Sequence, residues 1–425
     1  MAPPRRRATD GARPRAWRPP RWLQAAGLGA LASVACLGVA AAFDPQAPVV
    51  LVVGTAGSGP CDRLTPERSG RSATSLPHAP TALWRIELDA GLEAAPVVDA
   101  QGAVVVALTS SEVLKLAPDG RELWRQKLGN ASAVVPPVQA SDGSVFVLAT
   151  DNRLWSLSPA GNVRFALELG PGARRADAAP LARDDGGVVL ATEDELVHVD
   201  GEGRVVARAK LPERPSGGLL AWNGGTLVTA VGGAVLAWRS PGAPRVVGNF
   251  GANLSGGALL ATPRTLVGVA DGVLLALDLP SGLVEILGGS GDVLRHFEGP
   301  PALAPGGELV VTTLGGELFA LDLHGAPVRR LALDPGIVGF DVDGGAPFFL
   351  RGELRESPPL VVDPAGRVAF VRGSGRVAVV DEHGAVHDAS TRFCSRPLAV
   401  VPAGPGRFVV ACRSGTLGMF GDGEG

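Results

Sequence analysis

Apolar residues along most of the chain come in short runs, and each run ends in a turn that contains glycine. The runs Leu114–Leu116, Leu275–Leu277 and Phe319–Leu323 share one form, in which alternating apolar residues lead into a turn closed by glycine. Short apolar runs bounded by Gly, Pro, Asn and Asp are typical of β-strands. The pattern therefore predicts many short strands joined by tight turns.

This pattern occurs eight times, and the gaps between successive closing glycines are 41, 42, 39, 40, 43, 59 and 39 residues. Each unit has a short apolar strand, a turn, a second strand, a tight dipeptide such as Asp271-Gly272, and the patterned third strand. A fourth strand follows. A period near 40 residues with four strands per unit is typical of a β-propeller blade. The closing glycines are Gly120, Gly161, Gly203, Gly242, Gly282, Gly325, Gly384 and Gly423.

The two ends of the repeat region complete each other. The segments 83–88 and 123–128 both begin Leu-Trp-Arg and end in leucine, but the first has no three strands before it, while residues 398–420 supply three strands and no fourth. We expect the strand at 83–88 to pair with the strand at 416–420, which leaves no open sheet edge. The predicted fold is all-β: an eight-bladed propeller of four-stranded antiparallel blades, or seven blades if the irregular unit at Ala234–Trp238 is not a blade.

The amino end has the composition of an export signal. Residues 1–22 contain seven arginines and one acid, and residues 23–43 are uncharged. This predicts either a signal peptide over residues 1–42, cleaved after Ala40-Ala41-Ala42, or an uncleaved membrane anchor over 23–43, with lipidation of Cys36 as a third possibility. The composition of residues 43–80 predicts a flexible linker, and we expect residues 81–425 to form the propeller. Each of these alternatives places the body of the protein outside the cytoplasm, in the periplasm or at the envelope surface.

Composition narrows the class of protein further. The 425 residues include 59 Gly and 36 Pro with no three-residue period, and 46% are hydrophobic, which excludes collagen-like and disordered chains. Without residues 1–42 the chain keeps 32 basic and 41 acidic side chains, a net charge of −9. An acidic body disfavours nucleic acid as a partner.

The repeat resembles a known family. The sequences Ala-Pro-Val-Val-Asp at 95–99, Asp-Gly-Val-Leu at 271–274 and Leu-Ala-Leu-Asp followed by Gly282, together with Leu-Trp-Arg, resemble the pyrroloquinoline-quinone-type repeat of eight-bladed propellers over residues 83–423. The resemblance implies either a quinone-dependent alcohol dehydrogenase or, without a cofactor, a protein similar to the lipoprotein subunit of the outer-membrane β-barrel assembly machinery. The chain departs from the family in having no tyrosine.

The dehydrogenase interpretation implies a calcium site of Glu, Asn and Asp, a catalytic aspartate and, in many members, a disulfide between adjacent cysteines. The chain has no Cys-Cys pair and no Cys-x-x-Cys-His. His383 and His387 have a spacing found in some metal sites but no visible third ligand, and Asp341-Val342-Asp343-Gly344 lacks the downstream carboxylate of a calcium loop. We therefore predict no catalytic residue, no metal site and no cofactor.

Two further features are candidate sites. Cys394 and Cys412 flank a predicted hairpin about Gly404, and an oxidising compartment would allow a disulfide between them; two buried thiols are the alternative, and Cys61 is left over. The long gap, residues 334–358, carries Phe348, Phe349 and Leu350 next to Arg351 and Arg355.

We expect that inserted segment to contact a partner, since long loops on rigid scaffolds often carry function; an elongated hairpin is the alternative. The sequence thus predicts a monomeric, non-enzymatic propeller that serves as a protein-interaction scaffold, with an envelope protein of unknown identity as its partner. A ligand- or glycan-binding propeller is the second hypothesis, and a quinone-dependent oxidoreductase the third.

Overall fold

The computed structural model describes residues 63–423, except residues 134, 172, 174–177, 290–295, 314–316, 333–359, 373–374 and 394–395. The strands within these residues form eight sheets, each with four antiparallel strands. This confirms the predicted all-β fold with eight blades. The irregular unit at Ala234–Trp238 is a full blade, because that segment is the third strand of its own four-stranded sheet.

The first half of the chain forms four blades in sequence order, and the strand that precedes them, β1, belongs to the last blade. Strand β1 is Pro80–Glu87. Blade 1 contains β2 (Val97–Val98), β3 (Val104–Ala107), β4 (Glu112–Leu116) and β5 (Glu122–Lys127). Blade 2 contains β6 (Val138–Gln139), β7 (Val145–Leu148), β8 (Arg153–Leu157) and β9 (Val163–Glu168). Blade 3 contains β10 (Leu181–Ala182), β11 (Val188–Ala191), β12 (Glu195–Val199) and β13 (Val205–Lys210). Blade 4 contains β14 (Pro215–Trp222), β15 (Gly225–Ala230), β16 (Ala234–Trp238) and β17 (Arg245–Asn249).

The second half continues in the same order. Blade 5 contains β18 (Ser255–Thr262), β19 (Thr265–Ala270), β20 (Val273–Asp278) and β21 (Leu283–Gly288). Blade 6 contains β22 (Phe297–Leu303), β23 (Leu309–Thr313), β24 (Glu317–Leu321) and β25 (Pro327–Ala332). Blade 7 contains β26 (Val361–Val362), β27 (Val368–Val371), β28 (Arg376–Val380) and β29 (Val386–Arg392). Blade 8 contains β30 (Pro397–Pro402), β31 (Arg407–Cys412) and β32 (Thr416–Asp422), and β1 completes it.

The first strand of each blade lies near the axis of the ring, and the fourth lies at the rim. First strands of successive blades contact one another, as β14 contacts β18 and β18 contacts β22. Second strands such as Val104–Ala107 are buried at every position, because each sheet packs between two neighbours. Fourth strands alternate between exposed and half-buried residues. The hydrophobic core therefore lies between blades.

The ring closes as the sequence predicted. Strand β1 pairs with β32 in antiparallel register, with Trp84 opposite Met419 and Glu87 opposite Thr416. The predicted two-residue turn at Asp271-Gly272 is also confirmed, since both residues have positive φ, 48° and 78°, between β19 and β20. The first and last strands of the described chain thus share one sheet.

The Leu-Trp-Arg motif fastens one blade to the next. The indole Nε1 of Trp84 donates to the Pro118 carbonyl at 2.7 Å, and Trp124 donates to the Pro159 carbonyl at 2.9 Å. Each ring lies over the closing glycine of the following blade: a Cβ on Gly161 would stand 2.6 Å from the Trp124 ring. The repeated tryptophan and the repeated glycine are therefore two halves of one contact between blades.

Candidate functional site

The axis of the propeller is the place to look for a site, because the first strands of all eight blades converge there. Residues 63–76, which we call the plug, lie against these inner strands. Arg63 and Arg68 are each 5% exposed, and Leu76 is 1% exposed. The sequence predicts a flexible linker over 43–80, and residues 63–79 differ from that expectation because hydrogen bonds to the backbone of the ring hold them in place.

The plug pairs with the free edges of inner strands in four consecutive blades. The backbone N–H groups of Ala221, Leu260, Leu303 and Val362 donate to the carbonyls of Pro66, Glu67, Ser69 and Gly70, at 2.9, 3.0, 2.8 and 3.0 Å respectively. An inner strand has one edge paired within its own blade and the other directed at the axis. An unpaired buried N–H group costs about 1–3 kcal/mol, so the plug satisfies donors that the ring alone leaves open.

Three plug arginines bind backbone carbonyls of the inner strands. Arg68 Nη2 donates to the Gly256 carbonyl at 3.0 Å, and Arg63 Nη1 donates to the Pro300 carbonyl at 3.0 Å, while its Nη2 donates to the Pro301 carbonyl. Arg71 Nε donates to the Leu303 carbonyl at 3.3 Å. Guanidinium groups suit this task, because they present several donors in a fixed plane and stay charged.

The plug is anchored where it leaves the axis. Asp363 is fully buried, and its Oδ2 accepts the Leu76 backbone N–H at 2.9 Å and lies 3.3 Å from Arg367 Nε. Arg367 Nη1 donates to the Leu76 carbonyl at 2.6 Å. Both polar groups of Leu76 are thus held by one buried ion pair. Beyond it, Asp422 accepts the His78 N–H at 2.8 Å, which leads the chain into β1.

Burial shifts the pKa of two plug side chains. It lowers the pKa of Arg71 from its ordinary value. It raises the pKa of the Glu67 carboxyl, against hydrogen bonds from the Glu67 backbone and the Thr65 side chain that lower it. The charged form of the Glu67 carboxyl therefore costs free energy in the folded protein.

One small cavity lies beside the plug. A cavity of about 20 Å³ lies between Arg63, Leu64 and Gly70 on one side and the inner strands of blades 1, 7 and 8 on the other, where Pro96 and Val400 line it. This volume holds about one water molecule. A quinone or a sugar does not fit there while the plug is bound.

No group of three His, Cys, Asp or Glu side chains in the described part of the chain is arranged to hold a metal ion. The axis instead presents backbone carbonyls that are already bound to arginines.

The structure locates some of the residues predicted from sequence. Cys412 ends β31, is fully buried and is disulfide-bonded. Cys394 lies outside the described residues, so its pairing with Cys412 stays a prediction. Phe348, Phe349, Leu350, Arg351 and Arg355 also lie outside the described residues.

His387 lies near Asp381. His387 Nε2 is 3.1 Å from Asp381 Oδ2, and this contact lowers the pKa of Asp381 to about 2. The backbone N–H of His383 donates to the other Asp381 oxygen at 2.9 Å. His383 therefore lies in the turn between β28 and β29, and His387 lies in β29, with Asp381 bound to both.

His198 forms a further contact between blades that sequence reasoning did not single out. It is 5% exposed on β12; its Nδ1 lies 3.0 Å from Ser240 Oγ in blade 4, and its Nε2 lies 3.3 Å from Asp185 Oδ2. Burial lowers the pKa of His198. Opposite it on β13 stands Ala207, at the register position that Trp124 holds in blade 1. The His198–Ser240 contact therefore joins blades where the aromatic ring is missing.

The plug was missed because its signal is local and weak. Residues 63–71 contain three arginines separated by Leu-Thr-Pro-Glu and Ser-Gly, a composition that also suits a solvated linker. The available signal was the placement of three arginines within nine residues directly before an otherwise acidic body. Within the described residues, no helix is long and apolar enough to cross a membrane.

Comparison with known proteins agrees with this architecture. Residues 77–282 match the family model described as outer membrane protein assembly factor BamB. The computationally designed Ika8 protein is 14% identical with a TM-score of 0.61, over 80% of this chain and 100% of that one. A europium-containing methanol dehydrogenase is 12% identical with a TM-score of 0.58, over 86% and 98%.

BamB from Moraxella catarrhalis is 13% identical with a TM-score of 0.47, over 81% of this chain and 98% of that one. No curated protein matches the chain significantly. Identities this low show the fold and leave the activity open. The repeat, the family model matched over residues 77–282 and the closed ring of eight four-stranded blades together support a PQQ-like repeat β-propeller.

Proposed function

We propose that this protein is an exported, non-enzymatic β-propeller that acts as a protein-interaction scaffold in the cell envelope. The observation that carries the proposal is the plug: residues 63–76 occupy the axial position where propellers commonly bind small ligands. With that position filled by its own chain, the protein offers its rim and loop faces for contact. The matched family model names an outer membrane assembly factor, which supports an envelope setting.

Export rests on the amino end. Residues 1–42 act as a signal peptide or, through residues 23–43, as a membrane anchor. Mass spectrometry of the purified protein's first peptide separates these: a new amino terminus at Phe43 supports cleavage, and an intact Met1 or Ala2 in the membrane fraction supports an anchor. Full-length protein in the cytoplasmic fraction would contradict export.

The contact surface we assign is the inserted segment with Phe348, Phe349 and Leu350, next to Arg351 and Arg355. Apolar side chains flanked by arginines are typical of interface centres. The test is affinity capture from cross-linked envelopes with the wild type and with the variant Phe348→Ser/Phe349→Ser/Leu350→Ser. We expect one reproducible protein partner with the wild type, lost with the variant.

Two controls keep this test sharp. The variant Leu283→Ser replaces a rim residue of blade 5 that is 71% exposed, and it should retain the partner. Titration of the purified protein with quinone and calcium should change neither its absorbance nor its melting temperature. Saturable quinone binding, or identical capture by wild type and triple variant, contradicts the proposal.

A further inference from the structure

Three neighbouring inner strands share an unusual feature near their first residue. Strands β14, β18 and β22 carry there Ser216-Gly217-Gly218, Ser255-Gly256-Gly257 and Glu298-Gly299-Pro300. The first glycine of each has positive φ, 73°, 73° and 65°, and the pairing register shifts at each of these places. A bulge of this kind turns backbone groups out of the sheet. We call these three segments, with Pro301, the arginine cradle.

The cradle is shaped for guanidinium groups. A Cβ on Gly218 would stand 1.6 Å from Arg68 Nη1, so only glycine leaves room for that side chain. The Gly256 carbonyl accepts Arg68, and the Pro300 and Pro301 carbonyls accept Arg63. Proline has no N–H group, so this stretch presents acceptors alone. The cradle thus offers space and acceptors in three blades for arginines from one peptide.

The plug that fills the cradle is strained. Arg63, Leu64 and Arg68 have φ of 61°, 74° and 58°, in the left-handed region that larger side chains disfavour. The other non-glycine residues with positive φ in the described chain are Ser111, Asn152, Asn223 and Asp271, all short polar turn residues. Strain offsets part of what the plug's contacts contribute. A peptide that made the same contacts without strain would compete with it.

We propose that the arginine cradle is a binding site for an extended, arginine-bearing peptide segment of a partner protein, and that the plug is its resident occupant. The partner segment pairs with the inner-strand edges at Ala221 and Leu260 and places arginines against the Gly256 and Pro300 carbonyls. The net charge of −9 without residues 1–42 attracts a basic segment. This inference rests on the proposed scaffold role and adds to the contact at the inserted segment a second contact at the axis, which opens when the plug is displaced.

The tether between the plug and β1 explains why the resting site is filled. Three residues, 77–79, join them, so the plug acts at a high effective concentration. A free peptide meets that competition in the wild type and escapes it when the plug's own arginines are removed. Weakening the plug should therefore reveal the site to a peptide supplied in trans.

The test uses the full chain and a fluorescent peptide of residues 62–73. The variant Arg63→Ala/Arg68→Ala should bind this peptide at least about tenfold more tightly than the wild type does by fluorescence anisotropy. The matched control peptide carries alanine at positions 63 and 68 and should not bind. Adding Gly218→Leu to the variant should abolish binding, because the side chain fills the space for Arg68. A variant with the wild-type circular dichroism spectrum that binds neither peptide overturns the proposal.

A second measurement on the wild type covers the case in which the variant does not fold. Hydrogen exchange should show the amides of Ala221, Leu260, Leu303 and Val362 opening together and faster than that of Val228, which lies in β15. Exchange of all five only through global unfolding overturns the proposal. Peptide binding without an envelope partner supports the cradle and contradicts the scaffold role, so the two failures are distinguishable.

Discussion

Contacts between neighbouring blades lie at the rim on one side of the ring and near the axis on the other. From blade 8 to blade 3, aromatic residues on the outer strands, Trp84, Trp124 and Phe165, lie over closing glycines of the next blade. From blade 4 to blade 7 the plug joins the inner strands. Blade 3 has Ala207 at the aromatic position, and the contacts with the plug begin at the next blade. The repeat thus supplies aromatic joints on one side, and on the other side the plug adds joints to those of the repeat, such as the hydrogen bond from Trp222 to the Pro263 carbonyl between blades 4 and 5.

The largest expected effect tests the inner fastening. Asp363→Ala removes the acceptor for Leu76 and leaves the Arg367 guanidinium, whose side chain is 11% exposed, without its buried carboxylate. Breaking a buried ion pair costs about 3–5 kcal/mol, so we expect a loss of that size in the free energy of unfolding, measured in urea.

The control for this change is Asp363→Asn, which keeps an acceptor for the Leu76 N–H group and removes the charge. It should lose clearly less than Asp363→Ala. Equal losses would show that the hydrogen bonds that Asp363 accepts, from Leu76 and from Ala365 and Arg367 in its own turn, contribute nothing beyond the ion pair.

The next effect tests the outer fastening. Trp124→Ala removes a half-buried indole and its hydrogen bond to Pro159, and should cost about 2 kcal/mol. Trp124→Phe keeps a ring over Gly161 and loses only the hydrogen bond, so it should cost about 1 kcal/mol. If unfolding in urea is unchanged by Trp124→Ala, the rim contacts do not join blades 1 and 2.

A smaller effect tests the steric fit between plug and ring. Gly218→Ala should destabilise the protein by about 1–3 kcal/mol, because the new Cβ overlaps Arg68. In the Arg68→Ala background the same substitution should cost much less. A double-mutant cycle with no coupling would show that Arg68 does not occupy this space.

The smallest effect depends on pH. Burial raises the pKa of Glu67, so ionisation of its carboxyl lowers stability as pH rises from the ordinary value of 4.5 through the raised one. Glu67→Gln removes this ionisation. The variant should melt at a higher temperature than the wild type at pH 7, and the difference should vanish near pH 3. A pH-independent difference would place the effect in packing.

Sequence predicted the part of this molecule that repeats. The period, the turn at Asp271-Gly272 and the pairing of β1 with β32 follow from local patterns that recur about every 40 residues. The Leu-Trp-Arg motif and the closing glycine were both recognised from their spacing. That Trp124 contacts Gly161 was not predicted. Repetition let each weak signal be checked against its copies.

The plug could not be predicted in this way, because it occurs once. Arg63, Arg68 and Arg71 bind carbonyls of residues more than 180 positions away along the chain. Their environment is set by tertiary structure, and local composition favoured a solvated linker. The glycines that receive them, Gly218 and Gly256, looked like ordinary turn residues.

The sharing of one sheet by β1 and β32 also fixes an order of events. The ribosome synthesises β1 early and β32 last, so β1 has no pairing partner until synthesis is nearly complete. During that interval the unpaired edge of the Leu-Trp-Arg strand must be kept from pairing with another chain. Closure of the ring is therefore a late step that involves the whole molecule. A nonsense mutation near the carboxyl terminus would remove β32 and leave β1 without its pairing partner.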